Sequence, residues 1–134
     1  MTKTFPAKLE ELNNVLGFVE EALTVADCPL KTQMALNVCI EEVFVNIANY
    51  AYPESEGVAE VRVEVDEPTK CVCICLSDSG VPFNPLEKED PDTTLSVDER
   101  GIGGLGIYMV KKMTDSVSYE YEDGWNVLTM KKFF

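Results

Sequence analysis

Three short stretches of the chain carry residue types that do chemistry when held together. Glu42, Asn46 and Asn49 recur at spacings of four and three, which puts them on one face of a helix. Ile40, Val43, Phe44 and Ile47 form the adjacent apolar face, so the polar row suits the wall of a cleft. The amide oxygen of Asn46 is a fitting ligand for Mg²⁺, which takes oxygen donors and keeps several waters. Glu42, one turn earlier, is placed to accept a proton from an attacking hydroxyl or water. Asp78 follows a strongly apolar run and precedes Ser79-Gly80-Val81-Pro82-Phe83-Asn84-Pro85. A carboxylate at a strand end can accept a hydrogen bond from the exocyclic amine of adenine, and Gly80 would let backbone come close to the base. Arg100-Gly101-Ile102-Gly103-Gly104-Leu105-Gly106 sets four glycines in six positions ahead of a helix. Exposed amides at such a helix start bind phosphate. No Gly-Lys-Ser/Thr follows and no strand leads straight into it, so it is neither a Walker loop nor a Rossmann fingerprint. Each stretch alone also fits something plain: a polar stripe, an Asp-Gly turn, a glycine hinge. Their order along one chain is what makes them a series.

The elements that must position these residues follow from periodicity. Phe5 belongs to a short first strand. Leu9, Leu12, Leu16, Val19 and Leu23 recur at helical spacing, giving a first helix from Lys8 to about Ala26. Asp27 then reads as an N-cap and Pro29 as the first turn of a second helix running to about Tyr50. Val61, Val63 and Val65 alternate with Glu60, Arg62 and Glu64, so Val58 to Asp66 is a strand with one wet face. After the turn Glu67-Pro68-Thr69-Lys70, Cys71 to Ser77 is a more buried strand. Asp78 to Gly104 is a long loop, which in a compact domain is functional or mobile. Leu105 to Met113 is a third helix. Val117 to Glu122 and Trp125 to Lys132 are strands joined by Glu122-Asp123-Gly124. The order predicts an α+β two-layer sandwich, a mixed sheet of about five strands with three helices on one face. With no repeat or linker, residues 1–134 form a single domain.

Composition narrows the function classes. At 134 residues, 46% hydrophobic and 26% charged, the chain is globular. Its net charge of -13 disfavours nucleic acid and anionic membranes as partners, and a protein partner would sensibly present basic surface. The longest apolar run, near Val72 to Leu76, is too short to span a bilayer, and the first residues lack a secretory apolar region. A cytoplasmic location is expected. Histidine is absent, which removes His-based triads and phosphorelay through a histidine of this chain. Five cysteines without a secretion signal are expected to stay reduced. Cys71, Cys73 and Cys75 share one face of their strand, opposite Val72, Ile74 and Leu76. The cysteine face is expected to need cover, most simply from a second copy in a homodimer.

A helix with Glu-x-x-x-Asn, then strand-Asp-x-Gly, then a glycine-rich loop before a helix resembles the Bergerat-fold ATPases. These include DNA gyrase, the heat-shock chaperone ATPase, histidine kinases and the mismatch-repair ATPase. Within that superfamily, Glu41 to Tyr52 looks like the N-box of the anti-sigma-factor serine/threonine kinases. Asp78 to Pro85 looks like their first glycine box, and Gly103 to Ile107 with Asp115 like their second. The resemblance covers about residues 5 to 132. It implies Mg-ATP bound under a short lid and transfer of the γ-phosphate to a serine or threonine of a STAS-type anti-anti-sigma protein, whose unphosphorylated form releases a sigma factor. On matching positions Glu42 is the general base, Asn46 the Mg²⁺ ligand and Asp78 the adenine-reading carboxylate. Arg100 is a γ-phosphate contact. Asn49, Gly80, Phe83, Gly101, Gly103, Gly104, Leu105 and Gly106 complete the nucleotide site. In the last strand, where the family commonly has Thr, either Thr129 or Asn126 takes the remaining place of the adenine site. Tyr50 stands where family members often carry His. An ATP-dependent protein-binding switch without useful transfer is the alternative function.

Overall fold

The computed structural model describes residues 1–87 and 104–134, the side chains of residues 104 and 105 excepted. Its elements run β1 (Thr2–Pro6), α1 (Leu12–Val25), α2 (Leu30–Asn46), β2 (Val58–Asp66), β3 (Cys71–Asp78), α3 (Gly104–Met113), β4 (Ser116–Glu122) and β5 (Trp125–Phe133). A 3-10 turn, Leu9–Glu11, leads into α1, and a π-helical turn, Ile47–Ala51, extends α2. The five strands lie in the order β1-β2-β3-β5-β4. Val61, Val63, Val72, Ile74, Leu76, Leu128 and Met130 form the sheet's inner face. They are buried with Val15, Val19 and Leu23 of α1, Leu36, Ile40 and Phe44 of α2 and Val110 of α3 in one core. Burying a Val, Leu or Phe side chain contributes roughly 1.5–3 kcal/mol, so this cluster dominates the favourable side of folding.

Every neighbouring pair in the sheet is antiparallel, where a mixed sheet is expected from the element order. The reason lies in the last hairpin. After β3 and α3 the chain returns along β4, which runs parallel to β3. Asp123 and Gly124 both take positive φ, 53° and 85°, in a two-residue turn that pairs Glu122 with Trp125. That hairpin inserts β5 between β3 and β4, so the parallel strands never touch.

Asp27 caps the end of α1 rather than the start of α2. It sits at φ 57°, while the Asp27 and Cys28 amides donate to the carbonyls of Thr24 and Leu23 at 3.0 Å each. This is the Schellman closure of a helix C-terminus. Pro29 is accordingly the N-cap of α2, whose first residue is Leu30.

On the outer face of the sheet the chain itself covers one of the three cysteines. Cys75 is 4% exposed. Its sulfur lies 3.3 Å from Arg62 Nη2 and 3.2 Å from Thr129 Oγ1. Glu64 and Lys131 stand opposite Cys73 on either side. These cross-strand neighbours cover Cys75, while Cys71 and Cys73 stay part-exposed. All five thiols are free, and burial pushes Cys39 up to about 11 and raises Cys28 and Cys73. These three stay protonated and unreactive at neutral pH. Among the described residues no helix is long and apolar enough to cross a membrane.

Two glycines separate packing from propensity. A Cβ on Gly80 would lie 2.1 Å from the Ala51 carbonyl oxygen and 2.6 Å from its carbon, backbone that cannot step aside. A Cβ on Gly17, exposed in the middle of α1, meets nothing within 4 Å. Gly80→Ala is expected to lose about 1–3 kcal/mol in urea unfolding, and Gly17→Ala to gain about 0.5–1 kcal/mol. Equal effects of the two substitutions would contradict this packing.

Candidate functional site

One end of the sheet gathers the chemistry. Asp78 closes β3, Asn126 opens β5 directly across from it, and Asn46 ends α2. Between them lies a cavity of about 350 Å³. Its walls are mainly apolar: Val43 and Ile47 from the helix, Leu76 and Leu128 from the sheet, Ile107 from α3, and Val81, Pro82 and Phe83 from the segment after β3. Its polar groups are Asn46, Tyr50, Asp78, Tyr119 and Asn126. An apolar slot with a few convergent polar groups is the usual form of a small-molecule site.

Asp78 is 5% exposed. Burial is the main influence on its carboxyl and raises it above the ordinary carboxylate range, opposed by hydrogen bonds from Asn126 and Gly80. Both bonds reach the same oxygen: Asn126 Nδ2 donates to Oδ1 at 2.9 Å and the Gly80 amide at 3.0 Å. No described residue donates to Oδ2, so the second oxygen is left for a ligand's donor. Asn126, itself 7% exposed, uses its whole amide. Its Nδ2 also donates to the Val81 carbonyl at 3.0 Å, and its Oδ1 accepts from the Phe83 amide at 3.1 Å and from the Tyr119 hydroxyl. Burial raises the Tyr119 phenol, which therefore remains a donor at neutral pH.

The backbone around Asp78 is pinned from the helix side. Val81 N–H donates to the Ala51 carbonyl at 2.9 Å. The Tyr52 hydroxyl donates to the Val58 carbonyl at 2.6 Å and accepts from the Ser79 amide at 2.9 Å. Gly80 thus has a role different from the expected one: it admits the Ala51 carbonyl, while its own amide holds Asp78.

The predicted residues divide as follows. Asn46, Asp78 and Phe83 line the cavity. Glu42 is one turn before Asn46, half-buried, and its Oε2 occupies the place a Cβ of Gly106 would need, 2.1 Å away. Gly106 is therefore a close-approach glycine that lets α3 meet the Glu42 carboxylate. Gly104 and Leu105 open α3. Arg100, Gly101 and Gly103 lie outside the described residues. Asn49 is exposed and is not among the cavity residues. The π-helical turn takes more residues per turn than an α-helix, so Tyr50 at i+4, not Asn49 at i+3, returns to the face of Asn46. Thr129 points to the outer face, bonded to Cys75, because side chains alternate and Asn126 points inward. The last-strand position of the site belongs to Asn126. Tyr50, Tyr119 and Val81 also join it. The parity of the 123–124 hairpin was a usable signal for Tyr119, since it puts Tyr119 and Asn126 on one face.

The raised carboxyl fixes a sign for stability. The folded state binds the Asp78 proton more tightly than the unfolded chain, so this group makes stability fall as pH rises from the ordinary carboxylate range through its folded value. Asp78→Asn keeps an oxygen to accept from Asn126 and Gly80 but carries no charge to bury. Thermal melts across pH 4–8 should show Asp78→Asn gaining on wild type with rising pH, the difference vanishing at the acid end. A variant that loses stability at neutral pH would contradict the burial cost.

Comparison with known proteins agrees with this geometry. A family model described as the histidine kinase-like ATPase domain matches residues 5–132. The serine/threonine-protein kinase BtrW of Bordetella bronchiseptica is 25% identical over 100 residues, covering 75% of this chain and 70% of BtrW. The serine-protein kinase RsbW of Bacillus pumilus is 30% identical over 103 residues, covering 73% of this chain and 63% of RsbW. The chain therefore spans just under two thirds of that relative's length. Among solved structures, the histidine kinase domain of a blue-light activated histidine kinase from Erythrobacter litoralis superposes with a TM-score of 0.57 at 17% identity, over 90% of this chain and 60% of that one. At that identity the likeness concerns the fold alone. With the model matched from β1 to β5 and the cavity at the sheet end built by its expected helix and strand, the chain belongs to the histidine kinase-like ATPase domain family.

Proposed function

We propose that the chain is an ATP-dependent serine/threonine kinase of the anti-sigma-factor type, acting in the cytoplasm on a STAS-type antagonist protein, with a sigma factor as its second partner. The observation that carries the ATP part is Asp78: a buried carboxylate lining an apolar cavity, with the described donors on one oxygen only. Such an acceptor suits the exocyclic amine of adenine, and the apolar walls suit the ring faces. The chain's likeness to the protein kinases BtrW and RsbW supports the kinase part.

The phosphate end lies toward Asn46, Glu42 and the start of α3. Among the described residues no cluster of three or more His, Cys, Asp or Glu is arranged to hold a metal. That fits Mg²⁺ carried by the phosphates, with the Asn46 amide oxygen as protein ligand and water filling the rest. When bound, the ion neutralises charge on the phosphates. Arg100 and the glycines from Gly101 to Gly106 complete the phosphate contacts in this reading. Glu42 accepts the proton of the incoming serine or threonine hydroxyl as its oxygen bonds to the γ-phosphorus. The bond from the γ-phosphorus to the bridging oxygen breaks, and ADP leaves.

The test is transfer from labelled ATP to a candidate STAS protein. Glu42→Gln is expected to bind ATP as wild type does and to transfer about 100-fold more slowly or worse. Gly106→Ala, whose added methyl displaces the carboxylate, is expected to be slowed while still binding. Persistent transfer by Glu42→Gln removes Glu42 as base. ATP binding without any transfer by wild type, across STAS partners encoded beside it, favours a protein-binding switch instead.

A further inference from the structure

We infer that Asn126 is the positioning residue of the base pocket: one side-chain amide both holds the Asp78 carboxylate as an acceptor and ties the Val81–Phe83 lip to the sheet. The inference rests on the reading that Asp78 receives the adenine amine. It follows from what the amide touches. An asparagine side chain offers two donors and two acceptor sites, and here all four are used inside the protein: Asp78 Oδ1, the Val81 carbonyl, the Phe83 amide and the Tyr119 hydroxyl. Nothing remains for a ligand. Asn126 therefore acts through its neighbours and does not read the base itself.

The partners come from three places. Asp78 is the end of β3, Val81 and Phe83 belong to the segment beyond it, and Tyr119 lies on β4. Each lines the cavity. Loss of the amide would take one donor from Asp78 Oδ1 and remove the side chain's bonds to the Val81 carbonyl, the Phe83 amide and the Tyr119 hydroxyl at once.

The effect on Asp78 is electrostatic as well as geometric. A hydrogen bond to the charged form favours that form. Among the described residues, the titratable side chains around the cavity are Tyr119 from β4 and Tyr50 from the π-helical turn, with Glu87 of the 3-10 turn Pro85–Glu87 beyond them. From β2, uncharged Ala59 faces Asp78; from the helix side the neighbour of Gly80 is Ala51. No lysine or arginine among the described residues acts on Asp78. The donors that oppose its burial are Asn126 and the Gly80 amide. Without Asn126 the carboxyl protonates at higher pH, and a protonated Oδ2 no longer offers a free pair of acceptor sites to an amine.

The experiment has two readouts on the intact chain. The first is the titration of the Asp78 carboxyl carbon by NMR without nucleotide, in wild type, Asn126→Leu and Asn126→Thr. The second is the affinity for ATP from pH 5 to 8. Asn126→Leu is expected to move the Asp78 titration to higher pH, to weaken ATP by about tenfold at pH 7, and to weaken it more as pH falls. Asn126→Thr, which keeps one hydroxyl donor, should recover part of the titration shift. Should Asn126→Leu not fold, Asn126→Asp keeps the shape while replacing the donor with an acceptor, and the same upward move is expected more strongly. An Asp78 titration unmoved in the folded variants, or an ATP loss that is the same at every pH, overturns the inference. If wild type binds no ATP while the titration still moves, Asn126 positions Asp78 and the adenine reading is what fails.

Discussion

The hydrogen bond from Asn126 to Asp78 is the contact on which this site depends. A carboxylate 5% exposed is costly unless donors meet it, and the strand geometry supplies one from directly across the sheet. Because β5 is inserted between β3 and β4, the residue opposite Asp78 is the first inward-facing position of β5. The same insertion makes the sheet antiparallel throughout. Topology and site are thus one decision: the hairpin that moves β5 into the middle also brings the amide to the carboxylate.

The helix layer meets this arrangement through two missing side chains. At Gly80 the segment after β3 touches the Ala51 carbonyl, and at Gly106 the start of α3 touches Glu42. Both glycines fall in stretches that looked like ligand-approach glycines. Their closest neighbours are protein, which makes them fitted joints between elements. The π-helical turn belongs to the same fitting. It widens α2 where the chain must both reach Gly80 and present Tyr50, and it costs Asn49 its place.

Much of this was legible in the sequence, for identifiable reasons. Alternation in Val58–Asp66 and helical spacing from Leu9 to Leu23 are strong periodic signals, and the elements formed there. The Glu42 and Asn46 pair sits on regular α-helix, so its spacing translated directly into a shared face. The failures were at irregular points. Asn49 was lost to a π-turn that no spacing rule anticipates. Asp27 was read as starting a helix because Asp prefers an N-cap, whereas its left-handed backbone ends the previous one. The choice between Thr129 and Asn126 stayed open because the inward parity of β5 is not written in that strand alone. In the cysteine row only Cys75 is closed off, because the reach of Arg62 and Thr129 across the strands is not visible in the spacing.

Binding of Mg-ATP to wild type and to Asp78→Asn, measured by isothermal titration calorimetry at pH 7.5 with Mg-GTP as the comparison, tests the central claim most directly. The account predicts that wild type binds ATP well and GTP at least tenfold more weakly, and that Asp78→Asn, folded, loses the ATP preference with about tenfold or more of its affinity, the worth of a hydrogen bond to a charged group. Equal ATP affinity in the two proteins would contradict it, because the buried Asp78 carboxylate would then not be what holds the base.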